Sequence, residues 1–323
     1  MLLVRSCRLQ SRACMAPSSK FASSITAYSR QRGFASASGS IETVKLSYDL
    51  HEPAKPVADK HTSPILVMHG LFGSRKNNRS ISKALARDLG RHVYTLDLRN
   101  HGESPHAPRH DYPAMAADVA AFIDEHKISS PTLIGHSMGA KTAMTLALHS
   151  PSLIKDVIPV DNAPVDAVLG SDFAKYIRAM KEIDRAGVTR QAEADKILAT
   201  VEPSLPVRQF LLGNLHRPDP DSPVQRFRVP LDVIARNLNH MGDFPYKNPD
   251  EVRFDGRALF VRGTKSKYVA DEALPLVGRF FPRFELVDID AGHWVISEKP
   301  EEFRQGKTSF HCAPLPRPKR ISQ

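Results

Sequence analysis

Thr132-Leu-Ile-Gly-His136-Ser137-Met-Gly-Ala-Lys141 is the stretch that decides how this chain is read. An apolar run enters a Gly-x-Ser-x-Gly pattern, and Lys141-Thr-Ala-Met-Thr-Leu-Ala-Leu148 continues with helical make-up. Strand, tight turn and helix in that order form a nucleophile elbow. The serine occupies a strained turn, and the flanking glycines let neighbouring backbone come close without a Cβ in the way. The turn lifts the hydroxyl off the sheet edge. It also sets the amide of Met138 at a helix N-terminus, where it meets a developing oxyanion. Gly-x-Ser-x-Gly alone is a weak pattern that also fits a glycine-rich turn. The strand before it and the helix after it make Ser137 the candidate nucleophile.

A serine hydroxyl needs a base, and the base needs a group that orients it. Most of the 14 histidines read as solvated or simply hydrogen-bonded. His293 alone joins a late position, a preceding glycine and the end of an apolar strand pattern, Phe284-Glu-Leu-Val-Asp-Ile289. His69 and His136 read as braces of the loops that carry them, and His101 as the holder of a turn. For the acid, the strand pattern Ala258-Leu-Phe-Val-Arg-Gly263 leads into Thr264-Lys-Ser-Lys-Tyr-Val269, which has no carboxylate, and Asp271 reads as a helix start. The earlier pattern Asp156-Val-Ile-Pro-Val160 ends in Asp161-Asn-Ala-Pro164, where a carboxylate projects to the same face as Ser137. Asp161 is the expected orienter, with an Asx turn as its alternative role. A second oxyanion donor is expected at the amide of Leu71, in His69-Gly-Leu-Phe-Gly-Ser74 after the strand pattern Ser63-Pro-Ile-Leu-Val-Met68.

With these pieces in hand, the chain resembles an α/β-hydrolase. More narrowly, it is similar to a mitochondrial branch that holds the fungal ethanol acetyltransferases, their esterase relatives and short bacterial esterases. The matching motifs are His69-Gly-Leu-Phe-Gly-Ser74, Asp97-Leu-Arg-Asn-His-Gly-Glu-Ser-Pro105, Gly135-His-Ser-Met-Gly-Ala-Lys141, Val160-Asp-Asn-Ala-Pro164 and Ala291-Gly-His293, spread over most of residues 41–305. The resemblance implies acyl-ester chemistry through an acyl-enzyme and a mitochondrial address. In that branch the acid follows the earlier strand, which implies the same role for Asp161.

Composition narrows the partners. The chain carries 45 basic and 35 acidic residues. Residues 1–41 hold six of the basic ones and no acid, and residues 307–323 hold four and no acid, so the body between them is neutral. Nucleic-acid binding therefore has no electrostatic footing. The Arg- and Ser-rich, acid-free start reads as a mitochondrial transit peptide over 1–34, ending at Arg32-Gly-Phe-Ala-Ser36, and the matrix is the expected compartment. Cys7, Cys14 and Cys312 all lie near the ends, which leaves the body without a thiol nucleophile, a disulfide or a cysteine metal site. No transmembrane segment, phosphate loop or metal cluster stands out, so no cofactor and no metal is expected.

Strand and helix patterns alternate from about Val44 to Val160, the mark of a mostly parallel sheet covered on both faces. Over about 165–249 helical stretches broken by prolines replace that alternation, as expected of a helical lid inserted into the 41–305 hydrolase domain. Leu211, Leu212, Leu231, Ile234, Met241 and Phe244 either line an acyl pocket or pack the lid. Glu298-Lys-Pro-Glu-Glu-Phe-Arg-Gln305 starts a last helix that is expected to stop at Gly306, leaving 306–323 as an irregular basic tail.

The expected activity is a serine hydrolase that cleaves an ester or thioester, with water or an alcohol as acceptor. An alcohol acyltransferase making acetate esters is the alternative. A non-catalytic, partner-binding protein of the same shape is the rival from another class.

Overall fold

The computed structural model describes residues 35–36, 39–53, 63–167 and 172–312. The expected transit segment and the prolines of the final tail lie outside the described residues.

Seven strands form one sheet: β1 (Tyr48–His51), β2 (Ile65–Met68), β3 (Val93–Leu96), β4 (Thr132–His136), β5 (Asp156–Val160), β6 (Arg257–Gly263) and β7 (Phe284–Ile289). Their spatial order is β7-β6-β5-β4-β2-β3-β1. Neighbours are parallel except at one edge, where β1 runs antiparallel to β3. Every residue of β2, β4 and β5 is buried, as expected of apolar parallel strands covered on both faces.

Side chains alternate between two cores. Leu66, Met68, Leu96, Leu133, Val157 and Phe260 face one side, where α2 (Tyr112–Glu125), α3 (Met138–His149) and α8 (Leu274–Phe280) cover them. Ile65, Val67, Val93, Ile134, Ile158 and Val261 face the other, beneath α1 (Arg79–Leu89), α9 (Val295–Glu298) and α10 (Pro300–Cys312). Each large apolar side chain fully buried this way contributes roughly 1.5–3 kcal/mol.

The loop after β3 is pinned from beneath. Arg99 donates to both carboxylate oxygens of Asp118 on α2, at 2.6 and 2.7 Å, and to the carbonyls of Glu42 and Arg109. Both side chains are buried, so removing one partner strands the other's charge at a cost of about 3–5 kcal/mol.

Between β5 and β6 the chain departs into an insertion with α4 (Asp172–Ala186), α5 (Gln191–Leu198), α6 (Leu205–Leu212) and α7 (Leu231–Asn237). A short ribbon pairs Leu215–His216 with Arg226–Phe227. Three of the bonds that fasten the insertion to the main body end on its backbone carbonyls, and Asn214 and Asn237 add side-chain bonds to the carbonyls of Phe72 and Pro108. Tyr112 Oη on α2 donates to the carbonyl of Met241 at 2.7 Å. Lys141 Nζ on α3 donates to those of Gly242 and Asp243 at 2.7 and 2.9 Å.

One expectation is corrected. The last helix does not stop at Gly306 but runs on to Cys312, so the start of the expected irregular tail is helical. An interior glycine costs only about 1 kcal/mol against alanine and does not end a helix. The first residue that cannot continue it is Pro314. Phe303 anchors the helix, buried in the second core.

Candidate active site

Four parallel strands end on the same edge of the sheet, and each delivers one piece of the site. Ser137 follows β4 with φ 54° and ψ −111°, a conformation rare for a residue with a Cβ. Its amide donates to the carbonyl of Val160 on the neighbouring strand at 2.9 Å, which holds the turn in place. Gly135 makes the sharp crossing of strand and helix possible: a Cβ there would lie 2.0 Å from the carbonyl oxygen of Gly139. Helix α3 starts at Met138, directly beyond the serine.

His293 follows β7, two strands away from β5, and its loop must reach back across β6. Gly263, at the end of β6, leaves the room: a Cβ there would meet the carbonyl oxygen of Gly292 at 2.2 Å. The reach puts Nε2 of His293 2.9 Å from Oγ of Ser137 and Nδ1 2.6 Å from Oδ2 of Asp161. Asp161 ends β5 with φ 51° and is fully buried. Its carboxylate accepts from three groups, the amide of Gly263, the hydroxyl of Ser266 and the imidazole. That satisfies a buried charge that would otherwise be costly. Asp271 stands elsewhere, in an exposed ion pair with Arg262.

The turn after β2 completes the site. Leu71 and Met138 line one small cavity together with Ser137. Neither amide donates to a turn, loop or cap among the described residues. Two neutral imidazoles hold this turn from below. His69 donates from Nδ1 to the carbonyl of Gly70 at 2.8 Å and accepts the amide of Leu98 at Nε2 at 3.0 Å. His101 accepts the amide of Phe72 at Nε2 at 3.1 Å and donates from Nδ1 to the carbonyl of Arg99 at 3.0 Å. Burial pushes both rings below the usual histidine range, which keeps each a donor on one side and an acceptor on the other.

A family model described as the alpha/beta hydrolase fold matches residues 63–300. The chain belongs to the α/β-hydrolase fold family. The hydrolase is 41% identical over 271 residues to an abhydrolase domain-containing protein of Schizosaccharomyces pombe, covering 84% of this chain and 98% of that one. It is 43% identical to a probable alcohol acetyltransferase of Saccharomyces cerevisiae, covering 82% of each chain. To the sn-1-specific diacylglycerol lipase ABHD11 of Xenopus tropicalis it is 40% identical, covering 83% of this chain and 82% of that one. Among solved structures, a marine microorganism esterase superposes with a TM-score of 0.75 at 32% identity, covering 83% of this chain and all of that one.

Sequence reasoning passed over two residues of this hydrolase's site. Ser266 and Tyr268 both sit in the loop after β6, the loop that lacks a carboxylate. Ser266 donates to Asp161, and the ring of Tyr268 stacks on that of His293 with centroids 4.1 Å apart and planes 26° apart. Serine and tyrosine in a loop carry no signal of such contacts. The missing acid in Thr264–Val269 was the available hint that this loop serves the site in another way. His136 braces the far side, donating from Nε2 to the carbonyl of His293 at 2.7 Å. Of the six apolar residues expected either to line a pocket or to pack, Met241 lines the cavity at Ser137, and all six are buried in the first core.

Proposed function

We propose that this hydrolase cleaves carboxylic esters or thioesters through an acyl group held on Ser137. The observation that carries the reading is the placement of His293 between Ser137 and Asp161, at 2.9 and 2.6 Å. His293 takes the serine proton at Nε2 as Oγ attacks the carbonyl carbon. Asp161 fixes the tautomer with the proton on Nδ1 and stabilises the imidazolium that forms. The amides of Leu71 and Met138 receive the oxyanion. The imidazolium protonates the leaving alcohol or thiol, and water or an alcohol then releases the acyl group by the reverse sequence. Hydrolysis is the default outcome, since nothing in the Ser137 centre itself excludes water. Transfer to an alcohol is the second reading, supported by the likeness to the probable alcohol acetyltransferase.

The insertion serves as a lid over an acyl pocket. The cavity at Ser137 measures about 20 Å³ and is walled by Tyr112, Phe173, Met241 and Tyr268. One water occupies roughly 10–15 Å³ on a comparable scale, so the reading favours short acyl chains. The test is turnover of p-nitrophenyl esters and acyl thioesters of graded chain length, with fluorophosphonate labelling as a second readout. Ser137→Ala is expected to lose labelling and several orders of magnitude in rate while keeping its fold. Undiminished labelling of that variant sinks the assignment. We further propose a mitochondrial matrix location, supported by the basic, acid-free composition of residues 1–34.

A further inference from the structure

We propose that a second cavity, lined by Asn78, His136 and Trp294, is the subsite for the alcohol part of the ester, and that it takes small neutral alcohols bearing a second hydroxyl. The inference rests on the acyl-enzyme reading above and names the acceptor that reading leaves open.

This cavity measures about 70 Å³ and shares no lining residue with the one at Ser137. Yet it is built from the same three loops. Gly70, His136 and Trp294 line it, and each is the chain neighbour of a group in the Ser137 centre: Leu71, Ser137 and His293. The two cavities therefore flank one reaction centre, the smaller one walled in part by the insertion through Phe173, Met241 and Gly242 and the larger one beside the histidine loop. An ester bound across Ser137 has two arms, and the second cavity is where the arm leaving as alcohol finds room.

Its chemistry selects the arm. No Lys, Arg, Asp or Glu lines it, so nothing there pairs with a charged ligand. Phe210 from the insertion and Trp294 form an aromatic wall, with ring centroids 4.4 Å apart. Against that wall stand two buried polar side chains with unused capacity. Asn78 is 5% exposed, and its side-chain amide makes no hydrogen bond among the described residues. His136 is 9% exposed and spends Nε2–H on the carbonyl of His293, which leaves the lone pair of Nδ1 free. Burial holds this ring neutral, at about 4, so Nδ1 accepts rather than donates. Neither atom is sealed from the cavity: among the described residues the fully buried side-chain atoms without a partner are Ser82 Oγ and His110 Nε2. A ligand hydroxyl that donates to Nδ1 of His136 and exchanges a bond with the amide of Asn78 satisfies both.

In the transfer step, the oxygen of the first hydroxyl attacks the carbonyl carbon of the acyl-serine, and its proton passes to Nε2 of His293. On collapse the bond from that carbon to Oγ breaks, and the same proton moves to Ser137. The second hydroxyl stays in the subsite and undergoes no bond change.

The experiment uses the full chain with p-nitrophenyl acetate as donor and equimolar ethylene glycol and 1-propanol as competing acceptors. The two alcohols have the same number of heavy atoms and differ by one hydroxyl. Products are quantified as 2-hydroxyethyl acetate, propyl acetate and acetate. Counted per hydroxyl, since the glycol offers two, the wild type is expected to favour the glycol ester by about fivefold, the worth of one net hydrogen bond. Asn78→Leu brings the ratio to one or below. Ser297→Trp, at an exposed residue that also lines the cavity, narrows the mouth without touching the core and lowers both esters relative to acetate. A ratio near one in the wild type, or a glycol preference kept in Asn78→Leu and transfer undiminished in Ser297→Trp, overturns the inference alone. Nitrophenolate release no faster than from Ser137→Ala overturns the acyl-enzyme reading, and this inference with it.

Discussion

Ser266 donates its hydroxyl hydrogen bond to Oδ2 of Asp161, the same carboxylate oxygen that lies 2.6 Å from Nδ1 of His293. The loop after β6 thus contributes a hydroxyl to the acid instead of the acid itself. The carboxylate stands at the end of β5, one strand from that loop, and the loop lies beside it.

That relationship makes the acid's position testable in both directions. Asp161→Asn is expected to lower kcat by roughly 10³–10⁴-fold through the wrong imidazole tautomer. Adding Ser266→Asp to that variant places a carboxylate within reach of the same Nδ1, and it should recover at least about tenfold of the loss. Asp271→Asn, at an exposed ion pair with Arg262, should leave the rate nearly unchanged. A large loss in Asp271→Asn together with a mild one in Asp161→Asn would reverse the assignment. Steady-state hydrolysis of p-nitrophenyl acetate reads all three.

The buried histidines predict an acid limit. Burial lowers His69 and His101, and it lowers His110 and His136 to about 3 and about 4. In the unfolded chain each titrates near the ordinary histidine value of 6.5. As pH falls through 6.5 the unfolded state takes up protons that the folded state refuses, so stability drops from there downward. Asp118 and Asp156, whose carboxyls burial raises, oppose this at lower pH. The urea midpoint should therefore fall between pH 7 and pH 5, and a flat profile over that interval would count against neutral, buried rings.

Lys141 predicts a slope of the same sign on the alkaline side. Burial pulls its ammonium down from 10.5 to about 8. Between those values the folded state has lost the proton and the unfolded state still holds it, so stability rises with pH across the window. The neutral amine keeps two N–H donors, enough for the carbonyls of Gly242 and Asp243. Relative to Lys141→Met, the wild type should gain stability from pH 8 to pH 10.5, read as the difference in urea midpoints. A difference that does not change over this range would remove the lysine from that role.

Import should remove the segment near Phe34, after Arg32-Gly-Phe. N-terminal sequencing of protein recovered from mitochondria checks it, and a Met1 start on that protein would rule it out.

The sequence displayed the reaction centre unevenly. Ser137 was legible because its turn demands small neighbours at fixed spacing, and the sheet core was legible because its strands are uniformly apolar. Asp161 had to be inferred from what the later loop lacks. Ser266, Tyr268 and Asn78 were illegible, since their places depend on how three loops fold over one another. Lys141 hid in plain view: a lysine on a helix reads as a solvated side chain, and only the overlying carbonyls of the insertion explain its burial. The final helix ran past Gly306 because one glycine weakens a helix without ending it.

Tyr112 and Lys141 grip the insertion by its carbonyl oxygens and never by its side chains. Such fasteners are blind to sequence. Substitutions at Met241 or Asp243 that keep the backbone path leave all three attachments intact, whereas a Cβ at Gly242 would meet the carbonyl oxygen of Ala167 at 2.4 Å. At these points the insertion can change its side chains without losing its hold, while Asn214 and Asn237 add side-chain attachments to the carbonyls of Phe72 and Pro108. An insertion grafted from a relative would meet the same two donors, so the body can accept a foreign cover at these three carbonyls without a matching side chain.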